Sequence, residues 1–190
     1  MSFALNEIEA MAKKAARGAG YTWGLTEEAA KATRWLCAQG LDGVAVLAAA
    51  LDHAPTDDAP LSIGARLSDQ AQSLSRSALD LSAVSQPMML LPFAAMAARQ
   101  IGATVTVTST GVVAVTDGAG LRLSGDFPSG TADLTVSKGG QLLDPKPLST
   151  RATPSPRSWD TLNRLAHRTY APATEESRRL GAGAGLSDND

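Results

Sequence analysis

Cysteine is almost absent from this 190-residue chain: Cys37 stands alone, so no intrachain disulfide can form, which fits a reducing compartment. Aromatic residues are sparse as well. The three Trp, two Tyr and three Phe are too scattered for a base-stacking platform. The net charge of −2 leaves no surplus of positive sign, which excludes a broad nucleic-acid-binding face. Long apolar runs are missing too. The longest, Pro87 to Ala98, reaches roughly half to two-thirds of the ~20 residues that span a bilayer. Residues Met1 to Glu7 meet an acid too early for the basic and apolar regions of a signal peptide. A cytoplasmic protein with no membrane or nucleic-acid partner is the expectation. The chain also lacks Gly-x-Ser-x-Gly, Walker A, Cys-x-x-Cys and His-Glu-x-x-His motifs, so no cofactor or metal centre is expected. No repeat of 20–50 residues marks a solenoid or propeller.

What is present is a hydrophobic fraction of 44% and a charged fraction of 19%, ordinary values for a globular chain. A length of 190 suits one domain with a core that needs no staples. Residues 1–52 read as helical. Asn6 is the expected N-cap of a first helix, with Glu7 and Glu9 favouring its dipole and Ile8, Met11, Ala12 and Ala15 forming one stripe. A second helix is predicted from Thr26 to Gly40 and a third from Asp42, both rich in alanine. His53 to Pro60 is a loop by its two prolines and adjacent aspartates.

The reading of residues 61–143 is a helix plus a β meander. Residues 61–86 are ambiguous: Leu61-Ser62-Ile63 fits a short strand, and the Ser-rich portion after it has weak periodicity. Met88 to Leu91 reads as a buried extended segment leading into a helix opened by Pro92. A continuous helix kinked at Pro92 is the alternative. From Thr104 the period becomes two. Thr104 to Thr108, Val112 to Val115, Leu121 to Leu123 and Leu134 to Ser137 read as strands separated by Gly-containing turns. The Ala/Met helix before them is the expected cover. The fold class is therefore α+β: Ala-rich helices plus an antiparallel β meander covered by helices.

Residues 144–190 open with a proline-rich connector, followed by a helix over Trp159 to Tyr170 capped by Ser158. Trp159, Leu162, Leu165, Ala166 and Thr169 define its apolar side. Asp160, Arg164, His167 and Arg168 share the other, an ordinary solvated face unless it holds a ligand. Segment 144–180 carries Lys146, Arg151, Arg157, Arg164, Arg168, Arg178 and Arg179 against Asp144, Asp160, Glu175 and Glu176. The preponderance of arginine suits bidentate anion recognition. His167 beside Arg168 and Tyr170 is the candidate acid or base, with Arg164, Arg168, Tyr170 and Arg178 as candidate binding residues. Gly181, Gly183 and Gly185 lack the following helix that a dinucleotide fingerprint needs. They read as a helix stop and tail, or else as a loop folded back with N–H groups aimed at an anion. Asp188 and Asp190 with Glu175 or Glu176 read as solvated acids before cation ligands. Cys37 reads as a buried structural thiol, and His53 with Asp57 and Asp58 is a weak metal pattern. Tyr21, Trp23 and Trp35 read as packing anchors.

The stretch Glu7-Ile8-Glu9-Ala10-Met11-Ala12-Lys13-Lys14-Ala15-Ala16-Arg17-Gly18-Ala19-Gly20 with Trp23-Gly24 resembles the opening of an uncharacterised bacterial family, a domain of unknown function. Ala166 to Arg178, Gly181 to Gly185 and Asp188-Asn189-Asp190 resemble its ending. The resemblance implies no activity. It implies that the tail is an integral part of the protein. Gly24 to Ala30 through Gly40-Leu41-Asp42-Gly43 is also similar to the N-terminal helices of malate/lactate-type dehydrogenases. Their Asp-Ser-His-Gly motif is replaced here by Asp42-Gly43-Val44, and the chain is too short for their cofactor domain.

Three functional expectations follow. The first is an accessory protein that binds a small anionic metabolite or a protein partner through an arginine-rich C-terminal segment folded on the β-layer. The second is a small lyase or hydrolase with His167 as acid or base. The third is a structural subunit, for which a homodimer is one form.

Overall fold

The structure, a computed structural model, describes residues 1–170 of the chain. Phe3–Ala4 forms a short strand, β1, and Leu5–Gly18 forms α1. The N-cap of α1 is Ala4 rather than Asn6, because β1 keeps Ala4 extended; Glu7 Oε2 accepts from the Ala4 N–H at 2.6 Å. Helix α2 spans Trp23–Ala38. Helix α3 spans Gly43–Ala50, and the Asp42 carboxylate accepts from the Ala45 N–H at 3.0 Å. Small residues bring these helices close. A Cβ at Gly43 would lie 2.6 Å from the Thr33 carbonyl oxygen, so only glycine fits there.

Leu61-Ser62-Ile63 is not a strand. Pro60–Asp69 forms α4, with Pro60 in the first turn, where its missing N–H does no harm. Leu61, Gly64, Leu67 and Ser68 are the buried, helically spaced face that overrides the short β-like run. A 3₁₀ stretch, Ala71–Ser75, leads to β2 at Leu79–Ser85. Met88 to Leu91 is buried but not extended. Gln86, at φ +48°, turns the chain, and Pro87–Leu90 makes a 3₁₀ turn that runs into α5 at Leu91–Ile101. Gly102, at φ +61°, ends α5.

The alternating segment forms β3 (Val105–Ser109), β4 (Val112–Thr116), β5 (Leu121–Leu123) and β6 (Thr131–Lys138). The sheet is fully antiparallel, but it is not a simple meander. Its order is β2-β6-β3-β4-β5, so β6 crosses back to lie between β2 and β3. Val105, Val107, Ala114, Leu134 and Val136 make the buried face, and α5 covers it as expected. The outer face carries Thr106, Thr108 and Thr135. The chain after β6 bends across it, with Thr106 Oγ1 donating to Gly139 O at 2.7 Å and Thr104 Oγ1 to Gly140 O at 2.9 Å.

The β4–β5 turn ties the sheet to α2. Asp117 Oδ1 accepts from the N–H groups of Ala119 and Gly120 at 2.9 and 2.8 Å. The turn so held receives Trp35 Nε1 on Gly118 O (3.2 Å) and Gln39 Nε2 on Ala119 O (2.7 Å). Arg151–Ala152 forms β7, which pairs with β1. The last helix, α6, covers Pro156–His167; Ser155 rather than Ser158 caps it, with Ser155 Oγ accepting from the Ser158 N–H. Among the described residues no helix is long and apolar enough to cross a membrane.

Candidate functional site

Helix α6 buries Leu162, Leu165 and Ala166. It lies on α1 and α3 rather than on the β-layer, which corrects the sequence-based placement. Gly18 is its seat. A Cβ there would fall inside the Leu165 carbonyl oxygen, so the backbones of α1 and α6 touch. Phe3 stacks on Trp159 with ring centroids 3.9 Å apart, fixing the other end of the seam. Thr169, expected on the apolar side, is exposed.

The groove beside α3 takes only some of the polar residues that a helical wheel groups together. On the α3 flank, Arg157, Ser158, Asp160, Thr161 and Arg164 face Ala45, Ala48, Ala49 and Asp52 across a groove of about 830 Å³. Arg157 and Arg164 are seven residues apart, about 10 Å along the axis and on one side of the helix. Among the described residues neither has a carboxylate within 4.0 Å. The alanines opposite keep the α3 wall low. Thr161 Oγ1 is turned back to Arg157 O at 3.1 Å, so the guanidinium groups are the groove's main free donors.

Past the groove, toward the C-terminal end of α6, His167 is exposed, its ring edge-on to Tyr170 at 5.2 Å. Lys14 Nζ lies 5.9 Å from the Tyr170 ring centre, and the Arg17 guanidinium 4.8 Å from that of Trp23. Arg168, the C-cap of α6, lies one turn beyond Arg164. Of the candidate residues, the structure therefore places Arg164 in the groove, while His167, Arg168 and Tyr170 do not line it. Arg178, Gly181, Gly183 and Gly185 lie outside the described residues. Arg157 was read from sequence only as part of a basic stretch. Its i, i+7 relation to Arg164 was the available signal.

Cys37 is buried, and desolvation pushes its thiol up to about 11, which suits a structural group. Among the described residues no three His, Cys, Asp or Glu side chains converge in a way that could hold a metal ion. A second depression lies between α2 and the pair α4 and α5, lined in part by half-buried Leu25, Ala65 and Met96, with the Phe93 ring fully buried beneath.

A family model described as "Protein of unknown function (DUF3726)" matches residues 3–99. The chain belongs to this family. That agrees with the uncharacterised family which the N-terminal stretch resembles. The DUF3726 match runs from β1 into the last turn of α5, so it includes the α3 wall of the groove, whereas Arg157 and Arg164 lie beyond it. No curated protein and no solved structure matches the chain.

Proposed function

We propose that the protein is an accessory binding protein that takes a small anionic metabolite in the α3–α6 groove. The observation that carries this reading is the pair Arg157 and Arg164, unpaired among the described residues, on one wall of a concavity large enough for a metabolite. Planar guanidinium groups without a carboxylate partner bind a carboxylate or phosphate bidentately. Asp52 and Asp160 line the same groove, so a bare polyanion meets repulsion along with attraction. The ligand best matched carries an amine beside its acid group, the acid toward Arg157 and Arg164 and the amine toward Asp52 or Asp160.

Thermal melting with millimolar acidic amino acids, the corresponding dicarboxylates and inorganic phosphate tests the proposal. A ligand at ten times its Kd adds about 1.4 kcal/mol, which for a chain of this size raises Tm by about 3–5 °C. The amino acids should exceed the dicarboxylates, and Arg157→Gln with Arg164→Gln should abolish the shift. No shift from any of them, or a shift that survives the double substitution, overturns the assignment.

A further inference from the structure

The α3–α6 groove has two unlike ends. A small cleft of about 220 Å³ is lined by Asp42, the N-cap of α3, together with Thr153 and Pro154, just before α6 begins. The two helices therefore start side by side. They also finish together. Gly18 touches Leu165 near the end of α6, and a Cβ on Gly20 would lie 3.7 Å from Pro55 Cγ, just beyond α3. Helices α3 and α6 thus run in the same direction. The α3 wall extends from Ala45 to Asp52 and the α6 wall from Arg157 to Arg164, about 10 Å of rise each. Ala45 stands at the level of Arg157, Ala48 and Ala49 at that of Asp160 and Thr161, and Asp52 at that of Arg164.

The Arg157 end favours an anion. Arg157 lies in the first turn of α6, where the helix dipole is positive and N–H groups lack intrahelical acceptors, and alanine stands across from it. The Arg164 end is mixed. Arg164 lies in the last turn of α6 and Asp52 just past the C-cap of α3, so both helices turn the negative ends of their dipoles here. An ammonium gains from Asp52 and from both dipoles, and a carboxylate beside it gains from Arg164. Asp160 is a poorer seat for the amine, because a guanidinium one turn away on either side cancels much of its pull.

The same walls set the length of the ligand. The two arginines are rooted about 10 Å apart. Glutamate, whose acid carbons are at most about 5 Å apart, has to draw both guanidinium groups together, like charge toward like; each added methylene relieves this by about 1.3 Å.

We infer that the groove takes a long-chain α-amino diacid, which rests on reading it as an anion site. The α-ammonium and α-carboxylate bridge Asp52 and Arg164, the chain runs past the half-buried Ala49, and the distal carboxylate sits on Arg157 at the start of α6.

Titration calorimetry with L-glutamate, L-2-aminoadipate, L-2-aminopimelate and L-2-aminosuberate tests the inference. L-2-aminooctanoate, as long as the last of these but without the distal acid, is the control. Affinity should rise along the series, by at least about tenfold from glutamate to 2-aminosuberate. Arg157→Gln should weaken 2-aminosuberate by at least about tenfold and 2-aminooctanoate far less, so that the two converge. Asp52→Asn should weaken both ligands, and more than Asp160→Asn does. All three positions are exposed and tolerate these side chains, which the melting temperatures without ligand check. No heat from any of these ligands in the wild type, or heat untouched by Arg157→Gln with Arg164→Gln, overturns this inference and the anion-site reading together. Glutamate binding as tightly as 2-aminosuberate, equal losses of 2-aminosuberate and 2-aminooctanoate in Arg157→Gln, or a larger loss in Asp160→Asn than in Asp52→Asn overturns this inference alone.

Discussion

Replacing Gly18 by alanine places a methyl group where the Leu165 carbonyl oxygen already is. The clash lies far inside the 3.0 Å that Cβ atoms keep from other atoms, and the colliding atom is backbone, which cannot rotate away as a side chain would. Helix α6 must therefore move off α1. Overpacking of this kind costs about 1–3 kcal/mol, and a backbone collision belongs at the upper end. Alanine recovers about 1 kcal/mol of helix propensity at Gly18, whose φ is negative, leaving a net loss of about 2 kcal/mol. That corresponds to a Tm lowered by about 4–8 °C in a chain of this length. Gly24 is the internal control. It also lies in a helix with negative φ, but a Cβ there meets nothing within 4 Å, so Gly24→Ala should gain up to about 1 kcal/mol. Thermal and urea unfolding of the two variants beside the wild type give both values. If Gly18→Ala proves as stable as Gly24→Ala, α6 is not seated on α1 as described, and the α3–α6 groove loses its geometry with it.

The Tyr21 side chain is fully buried and its hydroxyl has no hydrogen-bond partner among the described residues, so Tyr21→Phe should be neutral or stabilising by about 1 kcal/mol; a loss of that size would reveal a partner for the hydroxyl. Burial lifts the Cys37 thiol to about 11, so a thiol reagent at pH 8 should label it only as the protein unfolds, and rapid labelling of folded protein would contradict the packing of α2 on α3. The N–H groups of Gly120 and Ala119 hold the Asp117 carboxyl below the usual carboxylate range. A carboxylate whose folded pKa is depressed stabilises fully above its unfolded value of about 3.9, and that contribution disappears as the pH falls through the folded value. Asp117→Ala should therefore be less stable than wild type at pH 7, with the gap narrowing below pH 4; a gap independent of pH would place the loss in packing instead.

The contrast between β3 and β6 marks how far the sequence could be read. Thr104 to Thr108 declares itself a strand because alternation places valines on the covered face and threonines on the wet one, and α5 was legible as that cover from its Ala/Met composition. The return of β6 between β2 and β3 left no such mark, since pairing partners distant in sequence share only a face and not a local pattern. Helix α4 was missed for a related reason: three residues of β-like type outweighed a helical stripe interrupted by Gly64, whose purpose, room for the Phe93 ring, is visible only when α5 is in place. The same logic governs function. A wheel of α6 puts Arg164, Arg168 and His167 on one polar side, and it cannot show that the groove with α3 takes Arg164 and leaves out the other two. Arg99 is the instructive residue: on α5 it is an ordinary basic residue in a last turn, and only the Asp117-ordered turn, arriving from the sheet, seats its stem against Gly118.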